Sequence, residues 1–226
     1  VFDGPGSSTF TFDINPATAT IASPLPGRFL NVLNTISGSS QDNIGVSTIS
    51  LSIQNVDSAA PNCFRPANND FAGICATSWF KAYGTTTSWN YTFSPPWQHN
   101  TNYVIYSSAT DLSGNVQLAI SSVAFTFEVL APTAALTTPA TINQSVTLIQ
   151  GTATDSPAGV ATVEIAISST NNGAAGSWLT GLGGTFTGAS DVYFAPSSPA
   201  AFPASGIGTW TKNLTGIPIE NGKTYL

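Results

Sequence analysis

The segment FTFEVLAPTAALTTP at Phe125 to Pro139 lies over FTFDINPATATIASP at Phe10 to Pro24 without a gap, a spacing of 115 residues. A period this long within 226 residues means repeated modules, each large enough to bury a core of its own. The repeated segment reads as the last strand of one module, a short Pro-containing hinge at Val129 to Thr133, and the first strand of the next. The boundaries follow from it. Residues 1–14 read as the final strand of a preceding module, 15–129 as one module, and 130–226 as a second that stops before its closing strand, so the sequence reads as a piece of a longer protein.

Inside the modules the apolar pattern has period two. Ile49, Leu51 and Ile53 alternate with Ser50, Ser52 and Gln54, which predicts a strand from Val46 with one core face and one wet face. A strand is also predicted around Leu33 to Ser39, and Trp89, Tyr91 and Phe93 alternate in the same way. In the second module Val163, Ile165 and Ile167 are the core alternants. The turn Gly38 to Gly45 recurs as Gly151 to Gly159, with Asp42 matched by Asp155. The corner Pro96 to Tyr103 aligns on Pro218 to Tyr225, with Asn100 where Gly222 stands. Asn and Gly are the residues that most readily take a left-handed backbone, which accounts for that match. A Tyr opening the next strand fits the tyrosine corner of sandwich folds. No helical period appears, and strands at short, turn-punctuated spacing predict a β-sandwich.

Cys63 and Cys75 sit in an insertion at residues 56–77, with no partner His or second cysteine pair. They read as a disulfide closing a surface loop, which implies an oxidising, exported setting. A second long segment, Thr180 to Gly208, is almost uncharged and carries Phe186, Tyr193, Phe194 and Phe202. Four aromatics in a long polar loop either fold back on their own sandwich or form a contact surface for a subunit or ligand.

Charged residues make up 7% of the chain, against about 25% in ordinary soluble domains. With five basic residues and a formal charge of −6 there is no electrostatic footprint for nucleic acid. No apolar run reaches the ~18 to 20 residues of a membrane-spanning helix. The single histidine, His99, has no G-x-S-x-G serine to pair with, and the acids are scattered through turns and strands, so no catalytic residue and no cofactor site is assigned. No metal is assigned either. Asp13, Asp42, Asp111 and Asp155 are the weak candidates for an oxygen cage around Ca2+, but they lack the D-x-D-x-D-G spacing, and the competing role is turn formation by their own side chains.

Three runs carry a family resemblance: Gly151-Thr-Ala-Thr-Asp-Ser-Pro-Ala-Gly-Val-Ala-Thr-Val-Glu-Ile, Ala109-Thr-Asp-Leu-Ser-Gly-Asn115, and the junction Ala131-Pro-Thr-Ala134. Together the chain resembles the bacterial immunoglobulin-like (Ig-like) repeats found in tandem on large exported surface proteins and adhesins. The resemblance implies an all-β chain of tandem Ig-like, or fibronectin type III-like, antiparallel β-sandwiches at the cell surface, with a spacer, adhesive or assembly role and no catalysis. The scarcity of charge points to lateral packing rather than a lone stalk. Self-association with identical subunits in a layer or filament is therefore expected. The alternative is a carbohydrate- or ligand-binding module, an adhesin or an accessory domain of an exported polysaccharide-active enzyme, with Trp97 and Tyr193 as its first sugar platforms.

Overall fold

A computed structural model describes residues 10–84, 87–137, 148–170, 178–179, 186–188, 198–199, 207–213, 215 and 224–225. The chain divides into two compact units, Val1–Val129 and Leu130–Leu226. Every regular element among the described residues is a strand.

The first unit contains β1 (Thr18–Ser23), β2 (Arg28–Leu30), β3 (Thr35–Gln41), β4 (Val46–Asn55), β5 (Cys63–Arg65), β6 (Asp70–Gly73), β7 (Phe80–Lys81), β8 (Tyr83–Gly84), β9 (Ser88–Thr92), β10 (Thr101–Asp111) and β11 (Ser121–Phe127). One sheet runs β1-β3-β9-β8 and the other β2-β11-β10-β4-β5-β6, with β7 also paired to β4. All pairings are antiparallel except that of β2 with β11. In the Ig-fold convention these are an A-B-E-D sheet facing a G-F-C sheet, so the strand order alone defines an Ig-like sandwich.

The predicted core strand is β4: Ile49, Leu51 and Ile53 are buried, opposite Ile36 of β3 and beside Tyr103 and Ile105 of β10. Each such side chain contributes roughly 1.5–3 kcal/mol through its removal from water. The wet face expected for β4 is dry at one position. Ser52 is only 2% exposed, because the insertion places Cys63 Sγ 3.8 Å from its Oγ. Cys63 and Cys75 are joined, 12 residues apart. Phe64 from the same insertion enters the core beside Phe71, Phe80 and Phe93.

The corner before β10 behaves as its sequence implies. Asn100 has φ 54°, and the backbone N–H of Gln98 donates to the Tyr103 hydroxyl at 3.0 Å. At the opposite end of β10, Gln117 ties three backbones together. Its Oε1 accepts from Ala19 N–H (2.8 Å) and Ala109 N–H (3.0 Å), while its Nε2 donates to the carbonyls of Ala19 (3.3 Å) and Ala119 (2.6 Å). Ala19 and Ala109 are buried, so truncation strands two interior donors. Gln117→Ala is expected to lower stability by about 2 kcal/mol, measured by urea unfolding.

Of the final strand expected over residues 1–14, residues 10–14 are described, and with 15–17 they lead into β1. They form no ladder in this chain, and Phe10 and Phe12 project into solvent. Residues 1–9 lie outside the described residues.

The second unit contains β12 (Thr133–Leu136), β13 (Leu148–Thr154), β14 (Ser169–Thr170), β15 (Trp178–Leu179), β16 (Phe186–Gly188), β17 (Ser198–Pro199), β18 (Ile207–Asn213) and β19 (Thr224–Tyr225). Its main sheet, β12-β13-β18-β17, follows the order of the first unit's β1-β3-β9-β8. The other pairs are β14 with β19 and β15 with β16. The core gathers Ala153, Val160, Leu179 and Trp210 around the alternants Val163, Ile165 and Ile167. The segment expected as one loop from Thr180 to Gly208 holds β16, β17 and the start of β18.

The two main sheets share one crossing. In the first, Gly38 of β3 pairs with Trp89 of β9; in the second, Gly151 of β13 pairs with Trp210 of β18. Each indole lies over its glycine so closely that a Cβ there would collide with the ring and with a carbonyl oxygen of the neighbouring strand, Thr20 or Ala135.

Candidate metal centre

Three of the four aspartates singled out in the sequence converge at one end of the first sandwich. Asp13 comes from the segment entering β1, Asp42 from the turn after β3, and Asp111 from the last residue of β10. Each offers a carboxylate oxygen, and the three oxygens lie within 4.8 Å of one another. The turns after β3 and β10 are bonded together, Leu112 N–H donating to Gly45 O at 2.9 Å. Asp155 follows β13 in the other unit and is not part of this group.

Local hydrogen bonds fix each carboxylate. Asp42 Oδ2 accepts from the backbone N–H of Ile44 (2.8 Å) and Gly45 (2.7 Å), the turn-forming role expected of it. Asp13 Oδ1 accepts from Asn15 N–H (3.1 Å) and Asn43 Nδ2 (3.2 Å). Asp111, 2% exposed, accepts from Asn115 N–H on Oδ1 and Asn115 Nδ2 on Oδ2, both 2.8 Å. Asn115 Nδ2 also donates to Asp13 O at 3.1 Å. Burial pushes the Asp111 carboxyl up, but hydrogen bonds from Asn115, Gly114 and Ser113 outweigh it and hold the group below the usual carboxylate range. Asn43 and Asn115 were missed in the sequence; their only signal there is adjacency to Asp42 and to the turn after Asp111.

Two oxygens are left over. Asp13 Oδ2 and Asp42 Oδ1 are both buried and accept no hydrogen bond. Among the described residues Arg65 pairs with Asp70 and His99 lies beside Glu128, so neither neutralises the aspartates. Like charges this close repel by on the order of 3 kcal/mol per pair at an effective dielectric constant of ~20.

The other sequence candidates lie elsewhere. Trp97, expected as a first sugar platform, is partly buried and packs against the core. Its Nε1 donates to Leu33 O at 3.0 Å, and its ring packs against Phe71, Phe93, Tyr103, Phe125 and Phe127. Tyr103 of β10 and Phe125 and Phe127 of β11 lie against the indole, contacts that alternation within its own short corner could not reveal. Phe186 opens β16. Tyr193, Phe194 and Phe202 lie outside the described residues. His99 Nδ1 accepts from Val129 N–H (3.3 Å) and lies 3.4 Å from Glu128 Oε1, which ties the corner to the end of β11.

Fold and site together define an Ig-like β-sandwich protein with a three-carboxylate cluster at one end of a module. No known protein family matches the chain, and no curated protein sequence does. Among solved structures it is similar to the fibronectin(III)-like modules of CbhA from Clostridium thermocellum, at 14% identity and a TM-score of 0.35, covering 87% of this chain and 94% of that one. The sandwich assignment rests on the strand order described above, not on this likeness.

Proposed function

We propose that this chain is a non-catalytic structural segment of an exported protein, whose Ig-like modules self-associate in a surface layer, filament or adhesive stalk. The observation that carries the reading is where the aromatics of the first unit go. Phe64, Tyr103, Phe125 and Phe127 are buried, and the partly buried Phe71, Phe93 and Trp97 pack against them in one contiguous cluster, so these side chains serve stability rather than a ligand cleft. The Cys63–Cys75 bond supports an oxidising location, and 7% charged residues favour packing between copies over mutual repulsion.

A glycan-binding reading has one observation of its own. Tyr83 on the edge strand β8 is 68% exposed and stacks on Tyr91, rings 6.0 Å apart and 7° from parallel, which leaves one flat face for a sugar ring. The two readings separate in sedimentation velocity with electron microscopy, run beside a polysaccharide pull-down. The structural reading expects species that grow with concentration into ordered arrays and no retention on polysaccharide. A chain that stays monomeric at every concentration, with retention lost in Tyr83→Ala, would replace it with the second.

A further inference from the structure

We propose that Asp13, Asp42 and Asp111 form a Ca2+ site that fastens the segment entering β1 to the turns after β3 and β10. The first support is the donor set. Three carboxylate oxygens, with no imidazole or thiolate among them, suit a hard cation. Their separation also fits: oxygens within 4.8 Å of one another come within the ~2.3 to 2.6 Å of a Ca2+–oxygen bond to one ion after an inward shift of a few tenths of an ångström at most.

The second support is independent of the clustering. Asp13 Oδ2 and Asp42 Oδ1 each expose less than 1 Å2 and accept no hydrogen bond. In both residues the sister oxygen takes two N–H donors, which hold the carboxylate in place and leave the other oxygen fixed and unsatisfied. A buried carboxylate oxygen without a partner is costly, and one cation coordinated by both would satisfy them together. A surface depression lined by Pro16, Thr18, Gln41, Asp42 and Asn43 borders Asp42. Ca2+ rather than Mg2+ is assigned because three carboxylates from three separate segments make a protein-built oxygen cage, whereas Mg2+ gives up water reluctantly and is usually held by only one or two carboxylates.

The test uses the full chain stripped with EDTA, titrated with CaCl2 or MgCl2 by isothermal calorimetry and followed by thermal unfolding. Ca2+ is expected to bind with a dissociation constant on the order of 10⁻⁴ to 10⁻³ M and, at saturation, to raise the unfolding temperature of the first unit by about 5 °C. Mg2+ at the same concentration should give a clearly smaller shift. Asp42→Asn keeps an oxygen for the Ile44 and Gly45 N–H groups and puts an amide donor where the unsatisfied oxygen lies. It should bind Ca2+ at least about tenfold more weakly, yet be as stable as the wild type or more so in EDTA, because one repulsive charge is gone. Asp13→Asn should reproduce the loss of binding. The assignment is overturned by a wild-type chain that Ca2+ does not shift, by an equal shift with Mg2+, or by a shift that both variants retain. It is equally overturned if Asp42→Asn is markedly less stable than the wild type in EDTA, since the Asp42 oxygen would then already have a partner.

Discussion

Gly38→Ala is expected to lower the stability of the first sandwich by about 3 kcal/mol, at the upper end of ordinary overpacking. The added methyl would sit closer than 3.0 Å to Thr20 O and to two ring carbons of Trp89. Neither neighbour can retreat cheaply. Thr20 O belongs to the β1–β3 ladder, and Trp89 is buried with its Nε1 donating to Ser39 O at 3.0 Å. Gly38 is not among the positive-φ glycines, so the cost is steric and should fall when the ring shrinks. The double change Gly38→Ala with Trp89→Phe should therefore cost less than the sum of the two single changes. In the second unit Gly151→Ala meets Ala135 O and Trp210 in the same way and should weaken that unit comparably. Urea unfolding followed by tryptophan fluorescence reads both; a Gly38→Ala chain within about 0.5 kcal/mol of the wild type would contradict the crossing.

Breaking the Cys63–Cys75 bond comes next in size. With the cysteines 12 residues apart, loop-closure entropy puts the loss at about 3 kcal/mol on reduction or in the double variant Cys63→Ala, Cys75→Ala. The insertion should nevertheless stay docked. Phe64 remains in the core, Asn62 Nδ2 donates to Asn55 O (2.7 Å) and Ser58 O (2.8 Å), and Arg65 makes a bidentate pair with Asp70 at 2.7 and 2.6 Å. The expected outcome is a lower urea midpoint with an unchanged far-ultraviolet β signal. A reduced chain as stable as the oxidised one, or one that loses its β signal in buffer, would contradict this division of labour.

What the sequence showed was local. The alternation of Ile49, Leu51 and Ile53, the left-handed Asn100 and the tyrosine corner each depend on neighbours a few positions away, and they appear in the fold as expected. The strand placed at Leu33 to Ser39 runs from Thr35 to Gln41, a shift of two residues within the ordinary uncertainty of strand ends. What it did not show depends on contacts across the sandwich. Ser52 is dry because an insertion folds over it, and Trp97 is partly buried because its ring packs on residues of β10 and β11.

The aspartate cluster was half legible. The residue type and the turn positions pointed to Asp13, Asp42 and Asp111, but only strand pairing between distant segments brings them together, as the Asn115-to-Asp13 bond across 102 residues illustrates. The orphaned oxygens that make the cluster informative belong to geometry alone.

Hydrogen exchange on the intact chain, read by mass spectrometry, tests the two-sandwich plan most directly. The slowest amides should fall in β3, β4, β9 and β10 of the first unit and, in the same molecule, in β13 and β18 of the second, with residues 10–17 exchanging fast. Exchange in β13 and β18 as fast as in residues 10–17 would contradict it.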